Sequence, residues 1–274
     1  MRVIYDAWGQ MGNRFWEYVD QVAWAMVHNE KVISLFWDPS LDDFDNLRTN
    51  PYIKFPLYVK CLQKGVVGRI YRHILYKTLH NKPIQSLFAS PIFKKMGFLS
   101  GKDLLFGCDK YYHEVWETEK ELFSPNKKIS NRIDNEFANK RANSESMIVG
   151  VHLRKGDYRT FHNGFFYYDD SEYAHFMQQI LNIFGKNTIF FLASNEKIDK
   201  SLFSDFRIFE LQNTSAVEDF YSLSKCDYIM GPFSTFCCWA SFWGNVPCYV
   251  FKRNGKISYS DFSVVHTLKR PLGM

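Results

Sequence analysis

The sequence predicts an α/β fold made of two Rossmann-like halves, each built on a parallel sheet, with a cleft between them. Three observations support this prediction. Residues 3–37 follow the order strand, turn, helix and strand. The second half alternates short apolar strands with helices, which is typical of a parallel sheet covered by helices on both faces. A polar stretch, residues 124–146, separates the two halves.

The elements of the first half follow from its apolar spacing. Apolar residues recur at helical intervals from Phe15 to Met26, directly after a glycine-containing turn. We therefore expect a strand at 3–5, a turn at 8–13, a helix at 15–26 and a second strand at 31–37.

The second half has the clearer alternation. We expect strands at 147–153, 188–193, 207–211, 227–230 and 247–251, and helices at 173–184, 217–223 and 234–243. A linker at 139–144 then gives an N-terminal domain at 1–145 and a C-terminal domain at 146–274.

Composition excludes several classes of protein. The chain has 274 residues, 46% of them hydrophobic and 23% charged, which predicts a packed interior rather than disorder. A formal net charge of +5 is too small to indicate a nucleic-acid partner. The six cysteines show neither a CxxC pair nor zinc spacing, so we interpret them as reduced thiols packed in the interior.

The segment 46–102 differs from the rest of the chain, because it holds eleven Lys or Arg residues and no Asp or Glu. One helix within it places apolar and basic side chains on opposite faces: Val67, Ile70, Tyr71, Ile74, Leu75 and Thr78 against Arg69, Arg72, His73 and Lys77. The apolar face either packs into the domain or lies on an anionic membrane, and the pattern leaves both interpretations open.

The expected location follows from the apolar runs. No run spans a bilayer and no signal peptide is evident, so we expect a cytoplasmic protein. Peripheral contact between segment 46–102 and the inner face of the cell membrane is the open alternative.

The run of residues 152–158 follows the predicted strand 147–153. Ligands of parallel α/β sheets bind where strands end at their carboxyl edge. Arg154 could hold a diphosphate with paired donors, Gly156 permits a sharp turn, and Asp157 could orient the arginine. A surface turn with local ion pairs is the alternative interpretation.

Two further stretches occupy equivalent positions. Ser234 or Thr235 would cap the helix at 234–243, and free N–H groups at such a cap attract phosphate. The second stretch, Ser194, Asn195 and Glu196, follows the strand at 188–193, and its carboxylate could accept two hydrogen bonds from a guanine edge. Ordinary capping and an ordinary turn remain alternatives.

Two other motifs carry weaker signals. Gly9 and Gly12 lack the third glycine of a dinucleotide fingerprint, so NAD binding is not expected. Asp43 and Asp45 are spaced like an acidic pair that holds a divalent metal, but they lie in a polar loop. We therefore predict neither a metal nor another cofactor.

Taken in order, these motifs resemble the bacterial α-1,2-fucosyltransferases, part of a wider group that includes α-1,6- and protein O-fucosyltransferases. The group's signature His-x-Arg-Arg-x-Asp is matched by His152, Arg154, Lys155 and Asp157, and Asp157-Tyr158 after Gly156 is typical of the α-1,2 branch. The other matches are Gly9, Gly12, Asn13, Phe15 and Tyr18 near the N-terminus, residues 219–226, and Ser234, Thr235, Phe236, Trp239 and Ala240.

The resemblance implies a GT-B architecture and a metal-independent, inverting transfer of fucose from GDP-fucose to a galactoside of a glycan. Segment 46–102, and not the resemblance, adds the hypothesis that this glycan is lipid-linked. The resemblance places the acceptor in the N-terminal half, near Gly9, Gly12, Asn13 and Glu17, and the nucleotide in the C-terminal half. The implied donor-binding residues are His152, Arg154, Lys155, Ser194, Asn195, Glu196, Ser234, Thr235 and Phe236.

The sequence departs from the family pattern at several of the predicted donor-site positions. Lys155 replaces the second arginine and loses its planar fork. Asn195 and Glu196 stand where two aspartates are usual, and Cys237 and Cys238 replace Ser and Trp.

The catalytic base is also undetermined, because the family match does not identify one. His162 is the candidate we place beside Arg154 and Asp157, and Glu17 and Asp6 are further candidates by position.

Three rival functions remain open at this point. The first is a GT-B transferase that uses another GDP-sugar or forms another linkage. The second is a non-catalytic nucleotide- or glycan-binding homologue. The third is a membrane-surface or RNA-binding protein that depends on segment 46–102.

Overall fold

The computed structural model describes residues 1–6, 8–106, 110–142, 146–253 and 255–268. The chain forms two compact units, Met1–Asn126 and Lys127–His266. Each unit contains its own parallel sheet. Two parallel sheets accompanied by helices confirm the predicted α/β class.

Unit 1 has four parallel strands in the order β3-β2-β1-β4. The strands are β1 (Arg2–Ile4), β2 (Val32–Ser34), β3 (Ile53–Lys54) and β4 (Phe98–Leu99). The helices are α1 (Met11–His28), α2 (Asp45–Thr49), α3 (Gly65–Leu79), α4 (Lys82–Phe88), α5 (Pro91–Lys95), α6 (Gly101–Leu104) and α7 (Tyr112–Leu122).

The core of unit 1 lies around α1. Phe15, Trp16, Val19 and Val22 are at most 2% exposed, because the helical period brings them to one side of α1. The predicted helix is therefore present and extends further at both ends. The second strand is shorter than expected, and β3 and β4, of two residues each, were too short to give an alternating signal.

Unit 2 has five parallel strands in the order β7-β6-β5-β8-β9. The strands are β5 (Ile148–Leu153), β6 (Ile189–Ser194), β7 (Ile208–Phe209), β8 (Tyr228–Gly231) and β9 (Cys248–Val250). The helices are α8 (Lys127–Ala142), α9 (Asp170–Phe184), α10 (Ala216–Leu223) and α11 (Thr235–Gly244). All six residues of the central strand β5 are buried, as expected for a parallel strand covered on both faces.

The border between the units differs from the expected linker at 139–144. Helix α8 runs into that segment and belongs to unit 2, and residues 143–145 lie outside the described part. Ile129, Ile133 and Phe137 face inward at intervals of four residues. Arg132 pairs with Glu218 of α10, which joins the polar side of α8 to the same unit.

Candidate functional site

The three stretches singled out in the second half meet at one edge of the unit 2 sheet. They follow β6, β5 and β8, which are neighbours in the strand order. Strands β5 and β6 are in register to their last residues, Leu153 and Ser194. Chain order reverses between β5 and β8, and connections that diverge at such a point leave a crevice in which ligands bind.

Two side chains hold the backbone of the loop that follows β5. The buried hydroxyl of Tyr173 accepts a hydrogen bond from the Arg154 N–H (3.1 Å) and donates one to the His152 carbonyl (3.3 Å). The Asn195 side-chain carbonyl accepts from the Lys155 N–H (2.9 Å). Tyr173 was predicted only as an apolar helix residue, so its role in supporting this loop is new.

Gly156 explains how closely the loop approaches the turn after β6. Its φ of +33° lies in the left-handed region, and a Cβ there would come within 2.8 Å of the Asn195 Nδ2. Any side chain would therefore separate the loop from Asn195.

Arg154 keeps hydrogen-bonding capacity at this edge. Its Nη2 contacts Asp157 at 2.9 Å, and its guanidinium carbon lies 5.3 Å from the centre of the Tyr158 ring. Its Nε is buried and has no hydrogen-bond partner among the described residues. A guanidinium positioned by one carboxylate, with donors left over, can bind an anion.

Lys155, predicted from the resemblance as a donor-binding residue, has a buried side chain. It is 8% exposed, and its ammonium forms an ion pair with Asp170 at the start of α9. The same ammonium lies 5.2 Å from the centre of the Tyr173 ring. The Lys155 side chain is therefore directed toward α9.

Ring stacking joins the loop after β5 to the N-terminus of α11. The His152 ring stacks on Phe236, with centroids 5.1 Å apart, and the Tyr158 hydroxyl donates to the Phe233 carbonyl (3.0 Å). Ser234 caps α11 by accepting from the Phe236 N–H (3.2 Å). Thr235 is the first residue of α11, so the predicted anion-binding helix N-terminus lies beside the His152 loop.

A cavity of about 700 Å³ opens beside the end of β6 and is lined by Ser194, Glu196, Thr214 and Asp219 among others. Glu196 is not free within it, because the Arg159 guanidinium contacts both carboxylate oxygens at 2.8 Å. That contact also holds the pKa of Glu196 below its ordinary value.

Asp219 is a further carboxylate of this cavity. Burial raises its pKa, against the opposing effects of a hydrogen bond from Thr214 and the charge of His152. From the sequence, Asp219 was predicted only as part of the matched stretch 219–226. Its position one turn after the Ser215 cap of α10 was the available signal.

His162 lies in the loop that continues from this site and is exposed. Its φ of +47°, followed by +56° at Asn163, is unusual for residues with a side chain. Its ring packs edge-on against Phe161, with centroids 4.5 Å apart. None of its contacts fixes a proton-transfer role.

The predicted acceptor residues are gathered at the N-terminus of α1 in unit 1. Gly9 has a φ of +63°, and a Cβ there would come within 2.5 Å of the Asn13 side chain. Glu17 is 1% exposed and accepts from the Trp8 N–H (3.0 Å). Gly12 is buried in the first turn of α1. These contacts fix the turn before α1.

The remaining candidate acids have structural partners. Asp6 accepts from the Ser100 hydroxyl (2.9 Å) and from the Gly101 N–H. Asp45 pairs with Arg48. Among the residues that the structure describes, no group of three or more His, Cys, Asp or Glu is arranged to hold a metal ion.

A basic loop and a helix N-terminus lie at the switch point of a Rossmann-like sheet, and a large cavity opens beside the neighbouring strand β6. These features define an α/β protein with a sheet edge suited to a phosphorylated ligand. The chain belongs to glycosyl transferase family 11, whose family model matches residues 69–257, more than half of its length. It is therefore a glycosyltransferase, and the resemblance found in its motifs is confirmed. No curated protein matches the chain significantly.

Solved structures with a similar fold are fucosyltransferases. NodZ, an α-1,6-fucosyltransferase co-crystallised with GDP, is 16% identical with a TM-score of 0.50, over 92% of this chain and 94% of NodZ. NodZ soaked with GDP-fucose is 15% identical to this chain with a TM-score of 0.51, over 98% of this chain and 99% of that one. One of the similar NodZ structures is from Bradyrhizobium.

POFUT1 in complex with GDP is 12% identical with a TM-score of 0.51, over 87% of this chain and 92% of that one. At such identities the likeness concerns the fold alone. That fold is the predicted GT-B architecture.

The buried Glu17 generates a prediction about pH. Burial is the largest cause that raises its pKa, to about 8 from an ordinary value of 4.5, and the Trp8 N–H and Arg14 oppose the shift. The native state thus keeps a proton that the unfolded chain releases, so stability decreases as pH rises between these two values, by at most about 1.4 kcal/mol per pH unit. Glu17→Gln should flatten this decrease in denaturant unfolding measured from pH 5 to 8.

The exposed Glu121→Gln is the control and should retain the wild-type slope. Burial and the nearby Asp20 also raise the pKa of Glu119, but both variants keep that residue, so their difference isolates Glu17. Identical slopes for Glu17→Gln and wild type would contradict the prediction.

Proposed function

We propose that the protein is a metal-independent, inverting fucosyltransferase that transfers L-fucose from GDP-β-L-fucose to a galactoside hydroxyl of a glycan and forms an α-1,2 linkage. Membership of glycosyl transferase family 11 supports it, as does a fold shared with fucosyltransferases crystallised with GDP and GDP-fucose. The observation that carries the proposal is Arg154, held beside the N-terminus of α11 with donors to spare.

In this proposal the chemistry depends on the leaving group. The acceptor oxygen attacks the anomeric carbon while the bond from that carbon to the β-phosphate oxygen breaks, and GDP leaves with the electron pair. Arg154 and the N–H groups at the start of α11 stabilise the negative charge that develops on the β-phosphate. Asp157 orients the guanidinium through its contact with Nη2.

The acceptor hydroxyl must lose its proton during this attack. We assign that proton to the exposed His162, because Glu17 and Asp6 are buried and engaged with backbone groups. A neutral imidazole can accept a proton near neutral pH. The transition state is loose, so the leaving group carries most of the barrier and the base contributes less.

We place the guanine in the cavity of about 700 Å³, against Asp219. A carboxylate there accepts hydrogen bonds from N1–H and N2–H of the base. Glu196 is less suited, because Arg159 already contacts both of its oxygens. Ser194 and Asn195 then shape the cavity wall and the donor loop, and His152 packs beside them on Phe236.

The same proposal includes an acceptor presented at a membrane. Among the residues of α3, α4 and α5, only Gly68 is buried. Val66, Val67, Ile70 and Ile74 of α3 are 54–60% exposed. Tyr71 and Leu75 are half-buried, so only part of the predicted apolar face packs against unit 1 and the rest faces solvent. With no acid in segment 46–102, this surface complements an anionic bilayer.

The described helices include none that is long and apolar enough to cross a bilayer. Contact of this kind is therefore proposed at the bilayer surface only, where a lipid-linked glycan would lie within reach.

Arg154→Ala tests the donor site. Removing a preorganised donor to a developing oxyanion lowers turnover by about 10²- to 10³-fold. We expect that loss in fucose transfer and in slow GDP-fucose hydrolysis, both measured in EDTA, with GDP-fucose preferred over GDP-mannose and UDP-galactose. Arg207→Ala is the matched control, because Arg207 lies before β7, at the opposite edge of the sheet. A requirement for a divalent metal, or full activity of Arg154→Ala, would refute the proposal.

Asp219→Asn tests the guanine contact. Loss of hydrogen bonds to a charged group should raise the Kd for GDP by about ten- to a hundredfold. The preference for GDP over inosine diphosphate, which lacks the 2-amino group, should disappear. Glu196→Gln is the control and should keep both values near wild type in calorimetric titrations. The reverse result would assign the base contact to Glu196, as the sequence first indicated.

Cosedimentation with vesicles tests the membrane contact. The wild type should bind vesicles that contain phosphatidylglycerol and release them at high salt, because the attraction is electrostatic. Ile70→Ser combined with Ile74→Ser should weaken binding, and Leu202→Ser, an equally exposed leucine of unit 2, should not. Equal binding to neutral vesicles at high salt, or a dimer that covers the same face, would count against it.

A further inference from the structure

A second cavity, of about 290 Å³, is lined only by residues of unit 1. Its walls come from α1, from the chain that follows β2, and from the second half of α3. This volume lies near the lower end of the range for small-molecule sites, about 300–1,000 Å³. The chain after β2 leaves the carboxyl edge of the unit 1 sheet, where ligands of parallel sheets bind.

Two arginines concentrate positive charge at this cavity. Arg14 and Arg72 line it, together with His73, and none of the described lining residues is acidic. Neither arginine forms an ion pair within the described part of the chain. The buried Nε of Arg14 also has no hydrogen-bond partner there. Two acids lie near these residues along the chain. Glu17, three residues after Arg14, has its pKa raised to about 8 by burial, and Asp38 accepts from the Ser40 N–H at 2.8 Å and caps the next turn.

The two guanidinium groups are held in place by neutral partners. Arg14 donates to the Trp37 carbonyl and, at 3.4 Å, to the Gly9 carbonyl. Gln63 accepts from Trp37 Nε1 (3.1 Å) through its side chain and from Arg72 Nη1 (2.9 Å) through its backbone. Both guanidinium groups are thus fixed by neutral acceptors, and neither forms an ion pair among the described residues, an arrangement that can receive an anionic group.

Aromatic side chains form the rest of the wall. Phe36 and Trp37 are at most 5% exposed, whereas the Tyr76 ring is 49% exposed and is supported by His80, stacked at a centroid distance of 4.0 Å. An apolar ring face next to a cation suits a sugar ring that bears an acidic group.

We propose that the cavity lined by Arg14, Arg72 and Tyr76 binds a glycan acceptor that carries an anionic group, either a sugar carboxylate or a sugar phosphate. The contact from Arg14 to Gly9 connects this cavity to the turn before α1, where the acceptor residues were predicted. The proposal rests on the proposed transferase activity only for the ligand's role as acceptor.

Calorimetry without any donor tests this site directly. The probes are N-acetyllactosamine, its 1-phosphate, and galactosyl-glucuronate. We expect the wild type to bind one or both anionic probes at least about tenfold more tightly than the neutral one, as one charge-assisted hydrogen bond provides. A preference for the phosphate alone identifies a sugar phosphate, and a preference for the glucuronate alone identifies a carboxylate sugar.

Arg72→Met should remove the preference for the anionic probes over N-acetyllactosamine, whereas Arg72→Lys should retain part of it. Arg69→Met is the matched control, because Arg69 is exposed on the same helix and does not line the cavity. Thermal unfolding of each variant verifies that unit 1 is folded.

Equal affinity of the wild type for all three probes would overturn the inference, even if fucose is transferred. Anion-selective binding that depends on Arg72 in a protein that transfers no fucose would support this site and refute the proposed function instead.

Discussion

The donor side of the structure depends on how the backbone is satisfied where β5 ends. The hydrogen-bond ladder stops there while the chain is still buried, and unpaired N–H and C=O groups at such a place are strongly unfavourable. The Tyr173 hydroxyl pairs with the backbone on both sides of Leu153, and Asn195 pairs with the next N–H. Helix α9, through Tyr173, and the turn after β6, through Asn195, therefore fix the loop that follows β5.

This constraint also separates the two cations of the loop. Once its backbone is held by Tyr173 and Asn195, the Lys155 side chain lies against α9 and pairs with Asp170. The Lys155 side chain is buried and that of Asp170 is 32% exposed, so the pair is partly screened by solvent. Arg154 is then the cation of this loop that has unused hydrogen-bond donors. The ammonium of Lys155, which stands in place of the family's second arginine, is compatible with the site.

The sequence predicted most of the fold where the pattern was regular. The apolar run at 147–153 predicted β5, and helical spacing predicted α1, α9 and α10. Strands β3 and β4 have two residues each, too few for a period. Helix α8 was missed because its three inward residues are separated by polar ones, although their spacing of four was readable.

The positions of the site residues were predictable from the sequence, but the side chains with which they interact were less so. Motif order placed Arg154 and Ser234 at one sheet edge, since neighbouring parallel strands end together. The contacts of Glu196 with Arg159 and of Lys155 with Asp170 join residues far apart along the chain, and no local pattern encodes them. No local sequence pattern encodes the unit 1 cavity beside α3 either, because its lining residues come from separate elements. An acid placed near Arg72 could pair with it, and an acid on the exposed face of α3 would repel an anionic surface. The acid-free composition of segment 46–102 is therefore consistent with both proposals made for α3.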